Sequence, residues 1–248
     1  MSLIAIFSDL HLKNQMDAKN QAFVNLLREL RQKQVTDLWL LGDIFDLLTG
    51  PYTFWREIHS EIFHELETLA RQGCRILWLE GNHDFHLKSL LTPLGIEMID
   101  AEITREIGSQ KIFLAHGDLV NPHDEAYLKW RAFTRDTRFR GLLSMTPEWI
   151  AKRFLLPMAE SLSRKSRAKE RDTEKTIQAT YREYAAIQWK KGFSGVILGH
   201  CHVADFCTEK GHFYLNLGSW LDASLRYALW KPDSEPFPKV EMCRMMDK

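Results

Sequence analysis

Cysteine is scarce in this chain: Cys74, Cys201, Cys207 and Cys243 are the only four in 248 residues. They form neither a CxxC pair nor a disulfide-framework spacing, which excludes a small stapled fold and reads as reduced thiols in a cytoplasmic protein. Long apolar runs are also missing, so no segment reads as a bilayer span. The N-terminus, Met1 to Asp9, has no basic region and runs straight into a strand-like segment, so a signal peptide is not expected. Net charge is absent too, with 33 basic against 33 acidic residues, and the global balance points to no partner. There is no internal repeat and no low-complexity segment. What is plentiful is apolar side chain, 45% of the residues, enough for one large domain or a domain carrying an insertion.

The first half alternates short apolar runs with helical periodicity. Leu3 to Phe7, Leu38 to Leu41 and Arg75 to Leu79 read as buried strands. Between the first two, Phe23, Leu26, Leu27 and Leu30 recur at helical spacing. Phe54 to Arg71 reads as one helix, ended by Gly73 in the position that tolerates a left-handed backbone. Strands alternating with helices imply βαβ units and a largely parallel sheet. Farther on, Ile103 to Ile107 and Lys111 to Ala115 flank Gly108-Ser109 as a hairpin. Val196 to Leu198, Ala204 to Thr208, Phe213 to Leu217 and Leu225 to Trp230 read as a second sheet. Residues 121–191 carry almost no strand signal and read as a helical insertion, with Pro147 at a helix start and Pro157 as a breaker.

The informative pattern sits at the end of each strand. Asp9-Leu10-His11 comes after the first, Gly42-Asp43 after the second and Gly81-Asn82-His83-Asp84 after the third. His116-Gly117-Asp118 succeeds Ala115, and Gly199-His200-Cys201-His202 succeeds Leu198. In α/β sheets the carboxyl ends of the strands face the ligand crevice, so these groups can converge there. Each fragment alone is weak; all five in this order, each directly after a strand, are a strong signal. Oxygen and imidazole donors without thiolate suit manganese, iron or zinc better than calcium. A divalent cation held there would lower the pKa of its bound water to around 7. No serine or cysteine nucleophile is then needed.

The set resembles the calcineurin-like metallophosphoesterase superfamily from Asp9 to His202. The resemblance implies an α/β (α+β) fold, a four-layer α/β/β/α sandwich with two divalent ions, manganese expected and iron or zinc the alternatives. One ion falls to Asp9, His11, Asp43 and His202, the other to Asp43, Asn82, His116 and His200, with Asp43 bridging. It also implies that His83 faces the substrate as proton donor or imidazolium, and that Asp84 orients it. Cys201, between two candidate ligands, is expected to point away. His59, His64 and His212 read as surface or core-edge residues, and neither His86 nor His123 is expected to touch substrate.

The run from His116 through Asp124, Tyr127 and Arg131, with Leu217-Gly218-Ser219-Trp220, resembles the UDP-2,3-diacylglucosamine diphosphatase family of bacterial lipid A synthesis. That resemblance implies a core of residues 1–120 and 192–248 carrying a helical cap of 121–191. It implies release of UMP and a 2,3-diacylglucosamine 1-phosphate, acyl chains enclosed by cap and core, and peripheral association with the cytoplasmic face of the inner membrane. Implied substrate contacts are Asn82, His83, Asp124, Arg131, Ser163, Lys165, Lys169 and His200. Residues 131–171 hold 11 Lys and Arg against 4 Asp and Glu, interleaved with Phe133, Leu142, Met145, Trp149 and Phe154. That mixture suits an anionic lipid surface, or equally an ordinary cap packed on the core. No nucleic-acid partner is expected, because the basic cluster is interleaved with aliphatics rather than stacking aromatics. One departure stands out: the lipid family has arginine where this chain has His83. Arginine is a permanent cation, whereas histidine can also protonate an alkoxide leaving group. Three readings stay open: the UDP-diacylglucosamine-type diphosphatase, a phosphoesterase for a soluble phosphomonoester, nucleotide or phosphoprotein, and a non-catalytic scaffold of the same fold.

Overall fold

Short strands with apolar residues at every position bury both faces, and this chain uses that to build two stacked sheets. In the computed structural model, residues 2–13, 17–165, 174–221 and 225–242 are described, with the side chains of 160–165 and 242 left aside. The first half runs β1 (Ile4–Phe7), α1 (Ala18–Gln32), β2 (Asp37–Leu40), β3 (Leu48–Thr49), α2 (Phe54–Ile58), α3 (Ser60–Arg71), β4 (Arg75–Leu79), β5 (Asp84–Phe85), α4 (Lys88–Leu91) and β6 (Ile96–Ile99). The hairpin β7 (Glu102–Ile107) and β8 (Gln110–Ala115) comes next, then α5 (Glu125–Arg135), α6 (Thr137–Met145), α7 (Glu148–Lys165) and α8 (Glu174–Lys190). The chain closes with β9 (Gly195–Leu198), β10 (Asp205–Glu209), β11 (His212–Asn216), β12 (Arg226–Trp230) and β13 (Lys239–Met242).

The first sheet has the order β13-β12-β1-β2-β4-β6, parallel from β1 to β6 and antiparallel at β12 and β13. The second has the order β10-β11-β9-β8-β7, with β9 parallel to both neighbours. The period-two alternation of strand side chains sorts the cores. Ala5, Phe7, Leu38, Leu40, Ile76 and Trp78 face α1 and α3, meeting Phe23, Leu27, Leu30, Phe63 and Leu66. Their neighbours Ile4, Ile6, Trp39, Leu77 and Leu79 face the second sheet and pack on Ile112, Leu114, Ile197, Phe213 and Leu215. The far face of that sheet, Phe113, Val196, Leu198 and Tyr214, is covered by Tyr181 and Ala185 of α8. The result is helix, sheet, sheet, helix, as the resemblance implied. Full burial of one Leu, Ile or Phe contributes ~1.5–3 kcal/mol, so the inter-sheet layer is a principal source of stability.

Several expectations are corrected. The helix read from Phe54 to Arg71 is two, parted at His59, whose backbone (φ −114, ψ 33) leaves the helical region. His59, read as a surface or core-edge residue, is itself buried, packed on Phe45 and Trp55. Pro157 does not break its helix: α7 runs through it, losing only the hydrogen bond that proline cannot donate. Pro147 does precede a helix, its carbonyl accepting from Ile150 and Ala151. The insertion drawn as 121–191 holds four helices among the described residues, but α8 packs on the second sheet and so completes the core layering. Helices α5 to α7 lie over the segment after β3, where Tyr52 Oη donates to the Leu143 carbonyl at 2.7 Å and the Glu148 carboxylate accepts from Phe54 N at 2.6 Å.

Candidate metal centre

Five strand ends converge on one crevice. Asp9 and His11 leave β1, Asp43 follows β2, Asn82 follows β4, His116 follows β8, and His200 and His202 follow β9. The turns are tied to one another: Asp9 N donates to Gly42 O at 3.1 Å and His11 N to Asp43 O at 3.1 Å. Asp9, His11, Asp43, His200 and His202 all have φ between 49° and 69°. Non-glycine residues rarely adopt this left-handed region, at a cost of ~1–3 kcal/mol each, and such strain concentrates at functional sites. Gly81 is required by close approach, since a Cβ there would sit 2.2 Å from Asp43 Oδ1 and 2.5 Å from Asp43 N.

The donor atoms form two groups that share Asp43. Asp9, His11, Asp43 and His202 place one ligand atom each within 4.8 Å of one another, and so do Asp43, His116 and His200. In the first group His11 Nε2 and His202 Nε2 are 3.0 Å apart, and His202 Nε2 is 3.5 Å from Asp9 Oδ1. In the second, Asn82 Oδ1 lies 2.8 Å from His200 Nδ1 and 3.2 Å from His116 Nε2. His116 Nε2 is 3.6 Å from Asp43 Oδ2. His116 Nδ1 donates to the Leu41 carbonyl at 2.8 Å, which leaves the Nε2 lone pair turned to the crevice, the arrangement typical of a metal-binding imidazole. Asp9, His11, Asp43 and His116 are buried; His200 and Asn82 are half-buried and His202 is exposed, so the crevice opens on that side.

The electrostatics ask for positive charge. Burial alone would raise both carboxyls, yet the imidazoles beside them prevail and hold Asp9 below and Asp43 well below the ordinary range. Burial alone would likewise lower His116, but Asp43 and then Asp9 raise it to about 10. Desolvation in the crevice, and then the charge of the facing His116, push His200 down to about 4. A site that draws protons onto one imidazole to balance two buried carboxylates is one that divalent cations would satisfy, and the all-oxygen-and-nitrogen donor set fits them. Cys201 is turned out of it, its Sγ lying 3.6 Å from Val203 O and 3.2 Å from Asn216 Nδ2.

The family pattern of the calcineurin-like phosphoesterases matches residues 2–204. The chain belongs to the calcineurin-like phosphoesterase family. With that membership it is a metal-dependent phosphohydrolase, and divalent metal ions are implied. It is similar to the UDP-2,3-diacylglucosamine hydrolase of Chromohalobacter salexigens, 29% identical over 205 residues, covering 79% of this chain and 78% of that one. The UDP-2,3-diacylglucosamine hydrolase of Photorhabdus laumondii is 30% identical over 200 residues, covering 79% and 80%. Among solved structures, an archaeal phosphodiesterase matches 97% of this chain and 99% of its own at 16% identity with a TM-score of 0.51, a likeness of fold.

Around this phosphoesterase centre two further aspartates hold the local structure. The hydrogen bonds of the Asp84 carboxylate go to residues other than His83. Fully buried, it accepts from Asp43 N at 2.9 Å and Gly81 N at 2.7 Å through Oδ1, and from Ile44 N at 2.9 Å and Trp78 Nε1 at 3.2 Å through Oδ2. Burial and then the charge of Asp43 push it up to about 7, against the pull of those backbone donors. Asp84 therefore binds the Gly42-Asp43 turn to the Gly81-Asn82 turn. His83 is instead oriented by Asp46, whose carbonyl accepts from His83 Nδ1 at 2.7 Å. Asp124 caps α5, its carboxylate accepting from Tyr127 N at 3.0 Å. Arg131 Nε donates to Asp118, which also accepts from Tyr127 Oη at 2.7 Å, and the Tyr127 ring lies 5.4 Å from that of His200. Ser163 and Lys165 lie on the end of α7, where side chains are outside the described residues, and Lys169 is outside them altogether.

Three supports lie outside the strand-end pattern. The buried Asp46 carboxylate lies 3.4 Å from His11 Nδ1, signalled only by an aspartate three residues after Asp43. Ser219 Oγ and Trp220 N both donate to the Asp9 carbonyl, at 3.1 and 2.9 Å, from the Gly-Ser-Trp run. Arg135 donates to the Gly81 carbonyl at 2.6 Å and pairs with Glu80 at 3.0 Å. Among the described residues no helix is long and apolar enough to cross a membrane.

Proposed function

We propose that the chain hydrolyses the pyrophosphate bond of a UDP-2,3-diacylglucosamine-type substrate at a two-metal centre, releasing UMP and a 2,3-diacylglucosamine 1-phosphate. The observation that carries this reading is the convergence of seven donor side chains into two groups sharing Asp43; the named relatives supply the substrate class. Asp9, His11, Asp43 and His202 would hold one ion, and Asp43, Asn82, His116 and His200 the other, with manganese favoured and iron or zinc the alternatives. When bound, such ions supply water activation at neutral pH and charge neutralisation on the phosphoryl oxygens.

The protein's own groups do the rest. Leu41 O and Asp46 fix the rings of His116 and His11, so that their Nε2 atoms face the crevice. Asp46 O accepts the hydrogen bond of His83 Nδ1–H, which leaves Nε2 as the atom that meets the substrate. Protonated, His83 offers Nε2–H to the oxygen of the departing group or stabilises phosphoryl charge as imidazolium. Arg131 and Tyr127 converge on Asp118 beside His200 and shape the wall on the cap side.

Contact with a lipid surface belongs to the same reading. Leu142, Met145, Trp149 and Phe154 are between 63% and 84% exposed on α6 and α7, amid the basic residues of the same segment. An apolar face flanked by cations suits the headgroup boundary of an anionic membrane. A soluble phosphoester is the second reading, favoured by the presence of a protonatable His83 where the lipid family has arginine. Detergent-dispersed UDP-2,3-diacylglucosamine with Mn²⁺ separates them. Release of UMP supports the first, turnover of simple aryl phosphates alone supports the second, and a purified protein that binds no metal returns weight to a scaffold.

A further inference from the structure

A cavity of about 640 Å³ lies between the core and helices α5 and α6, beside the metal centre but lined by none of its candidate ligands. Its volume falls in the range of small-molecule sites, and charged side chains stand on its wall. Lys88, Arg131, Arg135 and Arg140 line it against Glu80 and Asp100, while Leu143 is the only large aliphatic side chain on it. Arg135 is spent on Glu80 and the Gly81 carbonyl. Arg131 is held to Asp118 through Nε alone, so among the described residues its two terminal nitrogens make no hydrogen bond. Lys88 and Arg140 are exposed and have no ion-pair partner among the described residues. Four cations against two carboxylates leave an excess of positive charge facing an open space.

We propose that this cavity is an anion subsite that takes the phosphate of a hydroxylated ring, a nucleotide or a sugar phosphate, and not an acyl chain. An acyl chain packed here would strip water from six charged side chains, whereas a phosphate would pair with the cationic ones. Two links couple the space to the centre. Arg135 holds the carbonyl of Gly81, the residue before Asn82. Arg131 holds Asp118 together with Tyr127, whose ring faces His200. The inference rests on the proposed function only in that the bond cleaved next door belongs to the same substrate. Under that reading the acyl chains lie outside the cavity, and the hydrophilic part of the molecule fills it.

The test uses the full chain loaded with Mn²⁺, and calorimetric binding of two probes, UMP and glucosamine 1-phosphate, at low ionic strength. Lys88→Ala/Arg140→Ala should keep the wild-type metal content and melting temperature, since both side chains are exposed. It should weaken one probe at least tenfold. Lys88→Arg/Arg140→Lys should stay within threefold of wild type, and Asp100→Asn should tighten the same probe. Loss of UMP affinity assigns the subsite to the nucleotide, loss of glucosamine 1-phosphate affinity to the sugar phosphate. The proposal is overturned if wild type binds neither probe or if the double alanine variant binds both within twofold of wild type. Failure of the wild type to release UMP from UDP-2,3-diacylglucosamine would sink the proposed substrate and leave the cavity result standing.

Discussion

Replacing Asp84 with asparagine keeps the shape of the side chain and changes one atom, so it isolates the hydrogen bonds that join two ligand-bearing turns. Oδ1 serves Asp43 N and Gly81 N; Oδ2 serves Ile44 N and Trp78 Nε1. An amide can satisfy one of these pairs and must present its own N–H groups to the other. Two buried donors then lose their acceptor at ~1–3 kcal/mol each, ~2–6 kcal/mol together. In a chain of this length ~1 kcal/mol moves the melting temperature by ~2–4 °C, so Asp84→Asn should melt ~4–24 °C lower. Because the turns carry Asp43 and Asn82, retained metal after dialysis, read by elemental analysis, should fall as well. Were Asp84 only a positioner of His83, turnover alone would drop. A variant that melts within ~2 °C of wild type and keeps its full metal complement would refute the reasoning.

Asp46→Ala removes the carboxylate behind His11 Nδ1, and metal titration should show a ~10–100-fold weaker affinity, as loss of such supports commonly gives. His83→Ala should leave metal content unchanged while turnover falls, by ~10²–10⁴-fold if proton donation is its role; equal turnover would exclude the residue from the chemistry. His59 is held down to about 3 by burial. Its folded value is depressed, so the stability tied to its neutral form is present above pH 6.5 and is lost as pH falls from 6.5 towards 3, at up to ~1.4 kcal/mol per unit. Urea unfolding between pH 6.5 and 4.5 should therefore show a shallower acid loss in His59→Phe than in wild type.

The ligand set is legible because each member directly succeeds an apolar strand, and strand ends in stacked sheets have few directions in which to project. The parallel sheet and the second sheet are legible from strand and helix periods, while their four-layer stacking follows from the family resemblance. What periodicity hides is the role of a residue fixed by its neighbours in space. Asp84 reads as a partner of the adjacent His83, yet the turn geometry sends its carboxylate back to Asp43, Ile44 and Gly81. Asp46 supports His11 with its side chain and His83 with its carbonyl, and a backbone acceptor has no sequence signature. β6 is hard to see because Ile96–Ile99 alternates with Glu97 at an edge, and α8 groups with the cap because its moderate amphipathicity does not say which surface it covers.

Helix α5 touches both halves of the crevice. Arg135 grips the loop after β4 in the first sheet, while Arg131 and Tyr127 grip the Asp118 turn after β8 in the second. The helix thus acts as a rivet across the seam where the two sheets meet. A designer who transplants α5 and α6 to re-aim specificity would be unfastening the turns that carry the candidate ligands at the same time. The insertion is consequently no interchangeable cassette, and its first helix has to be varied around those three anchors.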